Sequence, residues 1–303
     1  MSYPRPYTVK TIDKHLKDAG FSQENAAFLN AFFRASANLY GVVSLRQMYS
    51  LYRDYKKLKE APKLHLRDFV CYAVITRRAV TSYHVYPYDE VRHDGRGEAG
   101  DIGSLVIHND LIMPAGDPFN AVDNLLAHVS ESMRYYMDPD FLTHTGSMDE
   151  SIAAKNLMAF YSSLKSTGDT LFKGESCERE NSFKGMRLDE MPVYSLAEEE
   201  KIMVLQKDPK KYARALQQLA DQKRSAAEIL LGETRAFQRL GYINELLVIR
   251  VHALLEQYGA EMNAEQDRQL EQLLSVYTDT MPCDRLRGWS NAGLREYAKL
   301  TQQ

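Results

Sequence analysis

The sequence predicts a mainly α-helical protein, with an N-terminal winged-helix-like module that contains a β-hairpin, followed by an α-helical bundle. Apolar residues recur at helical spacing along much of the chain. Between residues 23 and 112 the elements read helix, turn, helix, turn, helix, then two strands around a glycine-rich loop. This order is typical of a winged helix, a small fold that often holds nucleic acid. We expect residues 1–115 to form this module and residues 116–303 to form a helical domain.

Three helices are expected before the strands of the module. Phe32 and Leu39 belong to an apolar stripe along the first of them, and Gly41 supplies the break after it. Ser44 offers an N-cap oxygen to the second helix. The third helix is expected over residues 66–77.

Two strands and a wing loop complete the predicted module. Residues 82–88 and 104–112 have strand character, and the first run is rich in β-branched and aromatic residues. The loop over residues 93–103 carries too many glycines for regular structure. These glycines match neither a P-loop nor a dinucleotide fingerprint, because no lysine-serine pair and no helix follows them. We therefore interpret the loop as a wing.

The C-terminal half reads as helices interrupted by one irregular segment. An apolar stripe predicts a helix from residue 120 through Tyr136, and Ser147 with Glu150 forms a predicted capping box for a helix that ends near Leu164. Residues 165–194 are polar and glycine-bearing, so we expect irregular structure there. Further helical ranges are expected, the first of them a helical hairpin: residues 209–258, 265–277 and 290–300.

Composition restricts the class of protein. Of 303 residues, 44% are apolar and 26% are charged, as in ordinary globular proteins. No run approaches the ~18 apolar residues of a membrane helix, and the N-terminus lacks the apolar core of a signal peptide, so no membrane partner is expected. Three widely spaced cysteines predict neither a disulfide framework nor a zinc site. A reducing cytoplasm fits this composition best.

A local excess of positive charge predicts a nucleic-acid interface. Residues 44–80 contain nine positive and three negative side chains, a net charge of +6, so the remaining residues carry −9 within the total of −3. Such a split favours attraction of phosphates. In a winged helix the third helix would enter the major groove of duplex nucleic acid, and the wing would reach a phosphate or the minor groove. The predicted interface residues are Arg46, Lys63, Arg67, Arg77, Arg78 and Arg96.

A protein-binding scaffold without a nucleic-acid role is the first alternative. The predicted third helix, from Phe69 to Ile75, is apolar on nearly every side. A helix that reads bases needs a polar face. The chain also has 19 tyrosines, a residue type that is common in protein interfaces. Either way we expect a regulatory or interaction protein rather than an enzyme, and the sequence does not fix its oligomeric state.

A metal-dependent hydrolase is the second alternative. His84, His93, Asp94 and His108 lie on the predicted hairpin or its loop, and such ligands suit zinc, manganese or iron. However, the adjacent His93 and Asp94 open a glycine loop in which nothing holds their geometry. We therefore assign no metal ligand, no cofactor and no catalytic residue.

Three segments carry a family resemblance. They are ANLYGVV at residues 37–43, YYMDPDF at 135–141, and TMP at 280–282 with RGWSNAGL at 287–294. Together they resemble uncharacterised proteins of Gram-positive bacteria that often carry a C-terminal cysteine-rich SEC-C metal-binding motif. The chain ends at residue 303 without that cysteine cluster, so the metal function of the motif is not carried over. The resemblance implies an architecture and a bacterial origin but no mechanism.

Overall fold

A computed structural model describes residues 5–92, 100–112, 119–128, 133–137, 140–146, 151–167, 184–193, 224–240 and 244–301. In these ranges the protein is mainly helical and contains a three-stranded antiparallel sheet, which confirms the predicted fold class. None of the helices described there is long and apolar enough to span a bilayer.

The chain divides into two compact units. The first unit comprises Met1–Glu150, Arg239–Gly241 and Asp279–Gln303, and the second comprises Ser151–Gln238 and Tyr242–Thr278. The first unit therefore includes residues from the C-terminal end of the sequence. The predicted domain boundary at residue 115 stays a prediction.

The helices and strands follow the sequence in this order. The helices are α1 (Val9–Asp18), α2 (Gln23–Tyr40), α3 (Leu45–Leu58), α4 (Leu66–Thr76), α5 (Tyr88–Val91), α6 (Asn120–His128), α7 (Ile152–Ser163), α8 (Ala226–Arg239), α9 (Asn244–Gln257), α10 (Ala264–Thr280) and α11 (Asn291–Thr301). The strands are β1 (Val42–Ser44), β2 (Tyr83–Tyr86), β3 (Leu105–His108), β4 (Pro192–Val193) and β5 (Arg224–Ser225).

Serine caps and one glycine set the ends of α2 and α3. The Ser22 hydroxyl accepts a hydrogen bond from the Asn25 amide, and the Ser44 hydroxyl accepts one from the Gln47 amide, at 3.1 and 3.2 Å. Each bond satisfies a backbone donor that the first turn leaves unpaired. Gly41 ends α2 with a φ of 66°, a conformation that L-residues rarely adopt. These caps confirm the element boundaries that the sequence predicted.

The three-stranded sheet has the strand order β1-β3-β2. The β2–β3 pair is the predicted hairpin, with Val85 opposite Val106. The β1 strand pairs on the other side of β3, with Val43 also opposite Val106. The sequence order is therefore helix, strand, helix, helix, strand, strand, with the first strand paired to the last. This is the topology of a winged helix, and it places α3 and α4 between the outer strands in sequence.

An aromatic core holds α2, α3 and α4 together. Phe32 and Phe33 of α2 are fully buried, as are Phe69 of α4 and, at 2% exposure, Tyr52 of α3. The Phe69 ring packs edge-on against Phe32, at 5.9 Å between centroids, and is stacked against Phe33 at 6.0 Å. Aromatic side chains bury large apolar areas, so they dominate the packing of a small module. The side of α4 that carries Phe69 is therefore buried against α2.

Two predicted helix boundaries are wrong. The α7 helix is capped by Ser151, whose hydroxyl accepts from the Ala154 amide at 3.1 Å, and not by the predicted box at residues 147–150, which lie outside the described residues. The helix predicted through Tyr136 ends at His128. Residues 133–137 are not helical, because the Tyr136 amide donates to the Arg287 carbonyl at 3.0 Å instead of to its own helix.

The second unit contains helices that each bury an apolar face, together with one short sheet. Tyr161 of α7 is fully buried, and its hydroxyl forms a hydrogen bond with Thr234 of α8 at 2.8 Å. Burial raises the pKa of that tyrosine. Of the predicted irregular segment, residues 165–167 and 184–193 are described, and they contain β4, which pairs with β5. The start of the predicted helical hairpin, residues 209–223, lies outside the described residues.

Candidate nucleic-acid interface

The outer face of α3 is basic. The inner face of α3 packs into the core through five buried side chains, and the opposite face points outward: Leu45, Met48, Leu51, Tyr52 and Tyr55. Three exposed cations follow the helical spacing i, i+7, i+11 along one outward stripe: Arg46, Arg53 and Lys57. Lys56 is exposed beside them. The stripe is therefore a continuous cationic surface along the helix.

A single carboxylate interrupts this surface. Asp54 forms an ion pair with Lys57, with 2.7 Å between Nζ and Oδ1, and both side chains are more than half exposed. An exposed pair of this kind is worth less than about 1 kcal/mol, because solvent screens it. Arg53 and Lys56, next to these residues in the sequence, are exposed.

The loop between α3 and α4 continues the basic surface. The Tyr52 hydroxyl donates to the Pro62 carbonyl and accepts from the Leu64 amide at 3.0 Å, so a buried side chain anchors the loop. Lys63 lies between these two anchor points and is exposed. Arg67, in the first turn of α4, is also exposed, and its Nε lies 3.8 Å from Asp68. Both residues extend the cationic surface of α3.

The outer face of α4 is mixed rather than polar. Arg67, Cys71, Val74 and Arg78 share one stripe at the spacing i, i+4, i+7, i+11. Val74 is 53% exposed in the middle of the stripe. Burial, and then the charge of Asp68, raise the pKa of the half-buried Cys71 thiol. No amide side chain or hydroxyl lies on this face, and its two arginines stand at opposite ends, with Cys71 and Val74 between them.

The two predicted residues at the far end of α4 have partners within the protein. Arg77 forms an ion pair with Glu90, at 3.1 Å between Nη2 and Oε2. The Arg78 guanidinium lies over the Tyr7 ring, 4.8 Å from its centroid, and donates a hydrogen bond to the Tyr7 hydroxyl. Arg67 is in the first turn of α4 and Arg78 lies two residues beyond its end, so the two stand at opposite ends of the helix.

The structure thus brings together part of the predicted site. Arg46, Lys63 and Arg67 lie on the α3 surface and its continuation, whereas Arg77 and Arg78 lie at the other end of α4. Arg96 lies outside the described residues. Three members of the basic stripe on α3 were missing from the predicted site: Arg53, Lys56 and Lys57. The signal that could have found them is their helical spacing from Arg46.

The hairpin histidines do not form one site. In the sheet register His84 is opposite Ile107, and His108 is opposite Tyr83. Since neighbouring residues of a strand point to opposite faces, His84 and His108 lie on opposite faces of the sheet. His93 and Asp94 lie outside the described residues. In the part of the chain that the structure describes, no group of three or more histidines, cysteines or carboxylates could hold a metal ion.

Each of these two histidines has a local environment that fits its strand. The buried His108 accepts a hydrogen bond at Nδ1 from the Asp110 amide, at 3.2 Å. The half-buried His84 has its pKa lowered by burial. A neutral ring suits the position of His84, because burial disfavours its charged form.

No protein-family model matches the chain, and neither the curated proteins nor the solved structures gave a match. The resemblance to proteins associated with the SEC-C motif therefore stays a prediction. Arguments about function rest on the winged-helix topology and on the chemistry of its surface.

Proposed function

We propose that the first unit is a regulatory or interaction module that binds duplex nucleic acid through its phosphates. The contact surface is the outer face of α3, the loop that follows it and the first turn of α4. The supporting observation is that this one stretch of a winged helix presents seven exposed cations: Arg46, Arg53, Lys56, Lys57, Lys59, Lys63 and Arg67. Lys57 and Lys59 lie 2.7 and 3.4 Å from carboxylates, so the other five are counted as phosphate contacts. The rest of the chain carries a summed charge of −9, which favours approach of a polyanion to this basic stretch.

The binding is directed at the backbone and not at the bases. Long cationic side chains reach phosphate oxygens, which carry no sequence information. The outer face of α4 offers Val74 and Cys71 where a base-reading helix would offer amides or hydroxyls. The proposed module therefore discriminates poorly between duplex sequences, and its affinity falls steeply with salt.

The salt dependence measures how many phosphates are engaged. Each neutralised phosphate contributes about −0.9 to the slope of log K against log salt concentration. Five contacts predict a slope of about −4.5. Fluorescence anisotropy of an end-labelled duplex, titrated with protein between about 50 and about 200 mM salt, gives this slope directly.

Charge reversal locates the surface. The variant Arg53→Glu with Lys56→Glu should lose duplex binding, because it replaces two attractive contacts by two repulsive ones. The matched control is Arg250→Glu with Arg268→Glu, which makes the same change of charge at exposed positions of α9 and α10. The control should keep its affinity within about threefold, which corresponds to less than 1 kcal/mol.

Two outcomes would end the proposal. One is the absence of duplex binding by the unmodified protein at low salt. The other is an equal loss of affinity in the two charge-reversal variants, since that result would trace binding to net charge alone.

The outer face of α4 supports a second candidate, a protein partner. Val74 is 53% exposed in the middle of that face, and burying it would be worth about 1.5 kcal/mol or more. The test is capture of a specific protein from nuclease-treated bacterial lysate. Val74→Glu should abolish the capture, whereas Val276→Glu, which alters a helical valine with 52% exposure on α10, should leave it intact. A capture that survives Val74→Glu would contradict this candidate.

A further inference from the structure

A tight turn in the C-terminal segment presents the only tryptophan of the chain, Trp289. Arg287 adopts a left-handed backbone conformation with a φ of 51°, and Gly288 follows with a φ of 85°. The turn is closed by two backbone bonds of 3.1 Å, from the Gly288 amide to the Cys283 carbonyl and from the Cys283 amide to the Trp289 carbonyl. These two bonds fix the backbone on which the Trp289 side chain stands.

The segment at residues 133–137 holds the other side of the indole. Trp289 Nε1 donates to the Arg134 carbonyl at 3.1 Å. The Tyr136 amide donates to the Arg287 carbonyl at 3.0 Å. The Tyr136 and Trp289 rings are 4.6 Å apart between centroids. These contacts all lie within the first unit.

The series of rings continues into α11. The Trp289 and Tyr297 centroids are 5.0 Å apart, with 47° between the ring planes. Tyr297 is 48% exposed. Three rings thus follow one another, Tyr136, Trp289 and Tyr297, and the last one presents a large part of its surface to solvent. We call this group the ring series.

The segment that carries Trp289 and Tyr297 has a small excess of positive charge, although one of its arginines, Arg295, is paired with Asp279 at 2.5 Å. Residues 283–303 contain four positive and two negative side chains, a net charge of +2, although the chain as a whole carries −3. One of the two acids, Asp284, is buried and paired with Arg239 at 2.8 Å. Arg134 and Arg285 are exposed, and so is Lys299, two residues beyond Tyr297. An apolar partner would desolvate these cations at a cost, so the surface favours a partner that carries both flat rings and negative charge.

We propose that the ring series is a stacking platform for the unpaired bases of single-stranded nucleic acid. Unpaired bases stack on aromatic side chains without regard to sequence, and nearby arginines hold the backbone. The outer ring, Tyr297, takes the first base. This inference goes beyond the proposed duplex binding, because it uses different residues and a ligand whose bases are not paired to each other.

The single tryptophan gives a direct optical test. Oligothymidylate should quench the fluorescence of Trp289 and saturate, because a base that stacks on the ring series changes the surroundings of the indole. Inorganic polyphosphate carries the same type of charge but no bases, so it should not reproduce the quenching. Tyr297→Ala should weaken oligothymidylate binding about tenfold, within the range measured for loss of one stacking ring, whereas Tyr297→Phe keeps the ring and should bind like the unmodified protein.

The outcomes separate this proposal from duplex binding. Arg53→Glu with Lys56→Glu should abolish duplex binding and leave the oligothymidylate quenching in place. The proposal is overturned if Tyr297→Ala binds oligothymidylate as tightly as Tyr297→Phe. It is also overturned if polyphosphate quenches Trp289 equally, or if the emission stays constant throughout, in which case the ring series only packs the C-terminal segment.

Discussion

Two sets of cations in the first unit have opposite surroundings. Arg239 is buried, and its Nε donates to Asp284 Oδ2 at 2.8 Å. Its Nη2 donates to the carbonyls of Ala37 and Asn38 in the last turn of α2, at 2.8 and 3.3 Å. The cations on the outer face of α3 instead lie in solvent. The comparison shows that burial, and not the number of charges, decides which cations a partner can reach.

The buried pair closes one end of α2. The last carbonyls of a helix have no partner within it and carry partial negative charge, which a guanidinium can satisfy. Asp284 balances the remaining charge of Arg239. Because an isolated charge inside a protein is very unfavourable, the two residues depend on each other. Arg53 and Lys56 on α3 are exposed instead, so water solvates their charge.

The largest expected effect is on Arg239. Arg239→Ala should lower the free energy of unfolding by about 3–5 kcal/mol, because it leaves the Asp284 carboxylate buried without its partner. The measurement is the urea midpoint followed by circular dichroism. Lys56→Ala is the matched control on α3 and should change stability by less than about 0.5 kcal/mol. Similar losses in both variants would remove the contrast between buried and exposed cations.

The next effect is the loss of stability when Gly41, which lies against Asp284, is replaced by alanine. A Cβ at Gly41 would lie 2.0 Å from Asp284 Oδ2 and 2.9 Å from Leu111, and Gly41 has a φ of 66°. Gly20 has a φ of 85° with no atom within 4 Å of its Cβ position. Both alanine variants are strained by about 1–2 kcal/mol, but only Gly41→Ala adds a clash of about 1–3 kcal/mol.

Thermal or urea unfolding of the two glycine variants separates the contributions. A positive φ strains both variants, so a larger loss in Gly41→Ala than in Gly20→Ala is the result expected from the clash with Asp284. If Gly20→Ala is as destabilising as Gly41→Ala, the close approach of Asp284 to α2 contributes nothing measurable.

A smaller effect appears at alkaline pH. Burial, and then the charge of Asp284, raise the pKa of Cys283 from 9.0 to about 11. The folded protein therefore holds the thiol proton more tightly than the unfolded chain, so this stability is present below pH 9 and is lost as the pH rises toward 11. Between pH 9 and 10 the loss is about 1 kcal/mol.

Urea midpoints at these two pH values test the thiol. Cys283→Ala should reduce the fall in stability between them, since alanine has no proton to lose. The buried tyrosines titrate from a higher starting pKa of 10.0, so they contribute less in this interval. An unchanged fall in the Cys283→Ala variant would show that other groups cause it.

The smallest effect on stability is expected at Arg53 and Lys56, the residues whose replacement should weaken duplex binding most. Neutralising Arg53 and Lys56 should change the free energy of unfolding by less than about 0.5 kcal/mol per residue, because exposed charges away from special contacts contribute little. Thermal unfolding of Arg53→Ala with Lys56→Ala checks this. A clear loss of stability would mean that these cations hold the fold and are not reserved for a partner.

Much of the winged helix could be predicted because its signals are local. Ser44 at the start of α3 and Gly41 at the end of α2 are hydrogen-bonding and backbone preferences that act within one turn. The β2–β3 hairpin followed from its strand composition. The pairing of β1 with β3 could not be predicted in this way, because it joins residues more than 60 positions apart in the sequence.

The site was only partly predictable for a similar reason. Charge counting identified the basic stretch but could not rank its members, and the predicted interface took Arg77 and left out Arg53. The ion pair of Arg77 with Glu90, and the stacking of Arg78 on Tyr7, depend on packing that no local pattern encodes. Arg239 illustrates the extreme case, since it contacts the end of α2 from some 200 positions away in the sequence.

The salt dependence of duplex binding tests the central claim most directly. For the unmodified protein the slope of log K against log salt should be about −4.5. In Arg53→Ala with Lys56→Ala it should become shallower by about 1.8, because each lost phosphate contact removes about 0.9. A slope that is the same in both proteins would contradict the assignment of the α3 face as the phosphate-binding surface.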